Sequence, residues 1–376
     1  MMAIRHPRLQ DLTGLLNRLY PPALAESWDN VGLQVGDPQQ EISRILIALD
    51  PSRAVIEQAR HHLCQLVLTH HPLIFRPVKK ITPQDATGHI LFTAIQSGIA
   101  IFSAHTNLDS SANGLNDWLA ARLGLEQTRP LQPPSSGSLL KLVVYVPASH
   151  QQQVADALFA AGAGTIGGYD RCSFYTAGTG TFRPGMAASP YVGTPGQDEQ
   201  VDEIRLETVL PRHLQQRVLD RLFKSHPYED VAFDLFALEN QPTQHGLGRI
   251  GLLPRPLELE AFATQIKQQL GCTTLRQVQG HTKTLRKAAV CSGSGASVLH
   301  EAARQGADVL VTGDLKYHEA LTAQELGLSV IDAGHFATEQ IVTTGLQQVL
   351  QQSLAGTDWH IDILTAQQVQ DPFTYI

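Results

Sequence analysis

The sequence predicts an α/β core interrupted by a smaller α+β domain, and three observations carry this. Apolar β-type runs alternate with amphipathic helical stretches from residue 44 to about 124. The same alternation returns in the last third of the chain. Between them lies a segment that reads strand-helix-strand twice over, the order of a ferredoxin-like α+β unit. The expected division is 1–130 and 245–376 for the core, with 138–240 inserted.

The elements follow in chain order. Leu9, Leu12, Leu15, Leu16 and Leu19 recur at helical spacing until Pro21-Pro22 stops them. ILIALD is a buried-type strand, AVIEQARHHL a helix after Pro51, and QLVLTHHP a second strand. HILFTAIQSG is a helix, IAIFSAH a third strand and GLNDWLAARLG another helix. Such alternation indicates a largely parallel sheet with helices on its faces. LQPPSSGS, residues 131–138, reads as a linker. Strand KLVVYVP, helix QQQVADALFAAGAG and strand CSFYTAG follow, then strand VDEIRLETVL, helix RHLQQRVLDRLFKS and strand VAFDLFAL. GMAASPYVGTPGQDEQ between the halves is a loop, and QPTQHGLG leads back to the core. KAAVCSGSG, ADVLVTGD and LSVIDAG are strands separated by helices ASVLHEAARQG and YHEALTAQELG, and ATEQIVTTGLQQVLQQ closes the pattern.

Composition narrows the class. The 376 residues are 43% hydrophobic and 17% charged, ordinary for a globular protein with room for two domains. Lys+Arg total 28 against Asp+Glu 35, so nucleic acid is not expected as the main partner. Cys64, Cys172, Cys272 and Cys291 form no CxxC pair and read as small hydrophobes of a reducing compartment. No run is long and apolar enough to span a bilayer, and the N-terminus lacks the apolar stretch of a signal peptide. The expected location is the cytoplasm.

Metal-type side chains stand where these strands end. His70 and His71 follow Leu66-Val67-Leu68, Asp109 closes SAHTNLD, and His335 and Glu339 lie in AGHFATE. Imidazole and carboxylate hold borderline divalent ions in sites left open for chemistry. Five such groups exceed the usual three ligands of one catalytic ion and suit two ions sharing a bridging carboxylate. The HxxxE spacing sets His335 and Glu339 on one helix face. Asp50, His105, Thr106, Asn107, Asp314, His318 and Asp332 come to the same strand ends. In an open parallel sheet that edge is where ligands bind, so the loops are expected to gather on one edge of one sheet.

Other candidates are weaker. His61 and His62 close a helix, where positive charge suits the dipole. SGSGAS, residues 292–297, is either a tight turn or an anion cradle. Asp29 and Asn30, in ESWDNVGLQVGD, are either supporting groups or a capping turn.

LTHHPLIF, SAHTNLD, GTGTFRP, HPYED, GRIG, TGDLKYHEA and DAGHFATE, in this order, resemble the Nif-three-like dinuclear-metal family. Its bacterial members are commonly labelled GTP cyclohydrolase I type II homologs. The resemblance covers nearly the whole chain. It implies a layered α/β core and, for 138–240, the PII- or CutA-like insert of the long bacterial form. It also implies two divalent ions per subunit, held by His70, His71, Asp109, His335 and Glu339 with Glu339 bridging, and a homohexamer around a central cavity.

The expected activity is hydrolysis through a metal-bridging hydroxide with a nucleotide as substrate, and the resemblance implies GTP first among them. His105 and His318 are the candidate proton-transfer groups, with Asp314 placed to orient one of them, or else they are hydrogen-bond partners of the ligands. A nucleotide phosphoesterase and a metal-dependent regulatory protein are the alternatives. Zinc, iron, manganese and cobalt all suit the donor set.

Overall fold

The computed structural model describes residues 5–133, 139–238, 244–367 and 370–374. The chain divides into two compact units: Met1–Pro134 with Thr243–Ile376, and Ser135–Pro242. Most of the LQPPSSGS segment, and the first residues of QPTQHGLG, lie outside the described residues.

The first unit holds two mixed sheets. One runs Gly32–Val35, Ala100–Ser103, Leu66–Thr69, Arg44–Ala48, Asp362–Thr365. Its last four strands are parallel, and Gly32–Val35 joins antiparallel. The other runs Arg276–Val278, Ser329–Asp332, Val309–Gly313, Thr284–Ser294, Leu247–Glu258, Glu126–Gln132. Ser329–Asp332, Val309–Gly313 and Thr284–Ser294 are mutually parallel, and antiparallel strands flank them. The parallel strands LVLT, AIFS, VLVTG and SVID are buried at every position, because helices cover both faces.

The expectation of one sheet edge is therefore corrected: the strands belong to two sheets. The physical reason is helix Leu115–Arg122, which is apolar on two sides. Its Leu115 joins the core under the five-stranded sheet, with helices Leu9–Leu19 and Val342–Leu354. Its Leu119 and Ala120 join the core of the six-stranded sheet, with helix Leu259–Leu270. Helices Arg53–His61 and Ala86–Gln96 cover the outer face of the first sheet. Leu299–Arg304 and Tyr317–Glu325 cover that of the second.

Arg249 ties this junction together. It is 1% exposed, and its guanidinium makes a bidentate pair with Asp117 at 2.5 and 2.9 Å. It also donates to the carbonyls of Gly246, Gly248 and Ser111. A buried guanidinium is tolerable only when its donors are so matched.

In the second unit the sheet is antiparallel throughout, in the order Ser173–Phe182, Glu199–Pro211, Leu139–Pro147, Phe233–Ala237. Helices Gln151–Ala160 and Gln215–Ser225 share an apolar core with Leu142, Val144, Leu206 and Leu210. No helix among the described residues is long and apolar enough to cross a membrane.

Candidate metal centre

The carboxyl ends of the two sheets in the first unit deliver most of the predicted residues, His318 excepted, to one place. Strand Leu66–Thr69 runs into His70 and His71. Strand Ala100–Ser103 leads to His105 and the short helix Thr106–Ser110, which carries Asp109. From the other sheet, Val309–Gly313 ends at Asp314, and Ser329–Asp332 leads to the helix His335–Glu339. That helix is one turn long, so both its terminal side chains face the same way.

Four imidazoles converge, and each has its Nδ1 held by an oxygen. His70 Nδ1 donates to the carbonyl of Ala104 at 2.8 Å. His71 pairs with Asp50 at 2.7 Å, His105 with Asp29 at 2.9 Å and His335 with Asp314 at 2.8 Å. Carbonyl and carboxylate oxygens only accept, so the proton sits on Nδ1 and Nε2 is left bare. A ring oriented in this way by an outer acceptor is the usual arrangement of a metal-ligating histidine. Ligating atoms of His70, His71 and His105 lie within 4.8 Å of one another, as do those of His71, His335 and Glu339.

The buried acceptors lack donors. His70 is fully buried, and its Nε2 has no hydrogen-bond partner; the nearest carboxylate oxygens are those of Asp109 at 3.6 Å and Glu339 at 3.7 Å. Glu339 Oε2 lies 3.0 Å from His71 Nε2 and 2.9 Å from His335 Nε2, which are themselves 3.4 Å apart. With both Nδ1 protons turned outward, these are lone pairs facing lone pairs. Only extra protons or cations make such a cluster stable. The donor set fits divalent ions.

Without metal, protons fill the role. Burial opposes charge on His71, but Asp50 and Glu339 outweigh it and push the ring up to about 10. Glu339 chiefly pushes His335 up to about 9, against burial. Burial alone would raise Glu339, yet His335, His70 and His71 hold it well below the ordinary carboxylate range. Burial pushes Asp109 up. Asp29 is also partly buried, but hydrogen bonds from His105 and Thr106 bring it down to about 2, so it stays an anionic anchor for His105.

Several supporting residues carry little signal in sequence. Asn116 donates to the Asp109 carbonyl and accepts from the Ser292 amide, and Ser292 Oγ lies 3.4 Å from Asp109 Oδ1. Gly293, in the segment read as a turn or anion cradle, has φ +59°. A Cβ there would overlap Glu339 Oε1, so this glycine makes room for the carboxylate. Asp29, read as a support or a cap, is a support. His318 is brought to neither imidazole group; it is exposed, with its ring edge-on to Tyr317. His61 and His62 are exposed and also lie outside both groups.

The model of the Duf34/NIF3 family (NGG1p interacting factor 3) matches residues 7–372. The chain belongs to the DUF34/NIF3 family. A "GTP cyclohydrolase 1 type 2 homolog" of Bacillus subtilis is 39% identical over 367 residues, covering 98% of each chain. One from Halalkalibacterium halodurans is 40% identical over 367 residues, again covering 98% of each. Among solved structures, a Bacillus cereus protein related to NIF3 superposes with TM-score 0.82 at 39% identity, covering 99% of this chain and 100% of that one. The Staphylococcus aureus protein SA1388 gives 0.80 at 31%, with full coverage of both. The NIF3 fold thus spans both units of the chain.

Proposed function

We propose that this NIF3-family chain is a dinuclear metal-dependent hydrolase. The observation that carries the reading is the buried lone-pair cluster of His70 Nε2 and Glu339 Oε2, faced by outward-anchored imidazoles. His70, Asp109 and Glu339 would hold one ion, and His71, His335 and Glu339 the other. Divalent ions held there would acidify water and stabilise developing negative charge. His105, fixed by Asp29, presents Nε2 to the cluster and would move a proton at that atom.

GTP is the first substrate to test, because curated relatives are named GTP cyclohydrolase 1 type 2 homologs. Two features support a nucleotide. Exposed Trp28 and Phe75 stand edge-on 5.8 Å apart, with Trp28 6.1 Å from His105, and offer faces for a planar base. A cavity of about 580 Å³ opens at His71 and His335. Its other charged residues are Asp50, Asp314, Asp332, Asp371 and Arg276, and Arg276 is paired with Asp332. This cavity therefore supplies little positive charge for phosphates, so triphosphate binding in it should depend on metal.

The βαββαβ order of the insert supports its assignment as a PII/CutA-like domain. We propose the homohexamer from the family resemblance alone. Metal analysis with a turnover assay tests the whole reading. Glu339→Ala should lose more metal than His71→Ala, which should weaken mainly one ion. Metal-loaded protein should release formate from GTP, leaving the triphosphate intact, and lose this in His70→Ala or on chelation. Inorganic phosphate instead would favour a phosphoesterase. Parental metal content in Glu339→Ala would sink the ligand assignment. Absence of either product across several metals, with no GTP binding, would leave a regulatory protein.

A further inference from the structure

A cleft of about 630 Å³ lies wholly within the Ser135–Pro242 unit. That is within the range of roughly 300–1,000 Å³ common for small-molecule sites. Its walls come from GTGTFRP and HPYED, segments that the metal centre does not use. Tyr145, Phe182, Tyr191 and Tyr228 line it, with Phe182 and Tyr191 6.2 and 6.1 Å from Tyr228 between ring centres.

Glu203 lies in the wall of this aromatic cleft and is only 8% exposed. Its Oε1 accepts one hydrogen bond, from the Tyr228 hydroxyl at 2.9 Å. It has no cationic partner among the described residues. The unit's ion pairs there join Lys141 and Arg205 to Glu207, Arg183 to Asp198, and Arg171 to Asp156. One neutral hydrogen bond is thin compensation for a buried carboxylate. The backbone around it is shaped to admit it: a Cβ on Gly180 would overlap Glu203 Oε2. Gly178, the register partner of Glu203, faces open space.

We propose that this cleft binds a small organic cation, a protonated amine on an aromatic or apolar body. Its ammonium pairs with Glu203 while the body lies against Tyr145, Phe182 and Tyr191. Glu229 and Asp230, also in the lining and without cationic partners among the described residues, add to the negative potential. An anion finds less here. Arg183 is held by both oxygens of Asp198 at 2.7 and 2.6 Å, and Arg205 by Glu207 at 2.9 Å. His226 adds no charge: its Nε2 donates to the Tyr145 carbonyl, its Nδ1 accepts from the Tyr228 amide, and burial pulls it below the usual range.

The test is calorimetric titration of the full-length protein with three probes of one shape: tryptamine, its neutral alcohol tryptophol, and the anion indole-3-propionate. Tryptamine should bind, tryptophol at least tenfold more weakly, and the propionate not measurably. Glu203→Gln keeps an acceptor for Tyr228 and should cost tryptamine tenfold or more while leaving tryptophol unchanged. Gly178→Val, a substitution strands favour, should block both. Metal content should equal the parent's in both variants, which separates this outcome from the fate of the hydrolase reading. Absent tryptamine binding, equal binding of amine and alcohol, or preference for the anion would overturn the proposal. So would hydrogen-exchange protection of residues 178–184 that disappears on dilution, since a second copy would then fill the cleft.

Discussion

Each imidazole of the candidate centre is aimed by one outer oxygen, and this makes single residues outside the proposed ligand set testable. Asp50 and Asp314 hold His71 and His335 by Nδ1. Losing such a partner typically costs about 10- to 100-fold in metal affinity. Asp50→Asn and Asp314→Asn should therefore weaken metal binding by at least tenfold in a competition titration with a chromophoric chelator. Unchanged affinity would show that the rings are aimed by packing alone. Asp314 itself sits at φ +54°, a conformation that asparagine also tolerates, so the substitution tests the charge rather than the backbone. The same rings set the pH response. In metal-free protein His71 and His335 titrate at about 10 and about 9, above their ordinary 6.5. Folded values above unfolded ones mean that the charged rings stabilise the fold fully below about 6.5. That contribution is lost as pH rises through 9 to 10. Chelated protein should thus melt at progressively lower temperature from pH 7 to 10. Metal affinity should climb over the same interval, because binding displaces those protons. A flat melting profile in chelated protein would mean that the rings are already neutral.

At the scale of elements, the centre depends on how short helices and turns are pinned beneath it. Arg249 binds Asp117 and the Ser111 carbonyl, two residues beyond Asp109. Removing one partner of a buried pair typically costs about 3–5 kcal/mol. Arg249→Ala should fall in that range in urea denaturation and should also lower metal content, because the turn carrying Asp109 loosens. A loss below about 1 kcal/mol would place the guanidinium in water rather than in the core. Much of this scale was legible in the sequence. The strands LVLT, AIFS, VLVTG and SVID were read from their unbroken apolar runs, and the convergence of His70, His71, Asp109, His335 and Glu339 from their position at strand ends. What periodicity hid was the second sheet. Glu126–Gln132 is half-exposed and contains Pro130, and Leu247–Glu258 contains Pro254 and Pro256, features that read as loop. Gly293 was legible as a glycine but not as the space for Glu339, because that overlap arises between residues 46 apart. His318 fell short for the opposite reason: its spacing after Asp314 suited the site, but the helix Tyr317–Glu325 leaves it exposed.

For the whole molecule, the question is whether the candidate metal centre needs the Ser135–Pro242 unit. The six elements of that unit close their own core: Leu142, Val144, Leu206 and Leu210 of the sheet pack with Val154 and Leu158 of one helix and Val218 and Leu222 of the other. The first unit likewise keeps its four apolar clusters within its own two segments. Cores that do not share residues have no packing reason to melt together. Strands Glu126–Gln132 and Leu247–Glu258 are hydrogen-bonded neighbours, with Leu247 opposite Gln132. The two ends to be joined are thus already held close. A chain in which residue 133 is connected to residue 243 by a short flexible linker should therefore fold, retain parental metal content and melt in one transition. Replacing the Ser135–Pro242 unit by a short linker should alter the core's stability little, because loop-closure entropy changes slowly with length. If the shortened chain is insoluble or metal-free, the inserted unit contributes to the fold of the centre itself. If it keeps its metal but no longer assembles as the parent does, the unit's role lies in assembly, and the cation cleft would then act on the oligomer rather than on the chemistry.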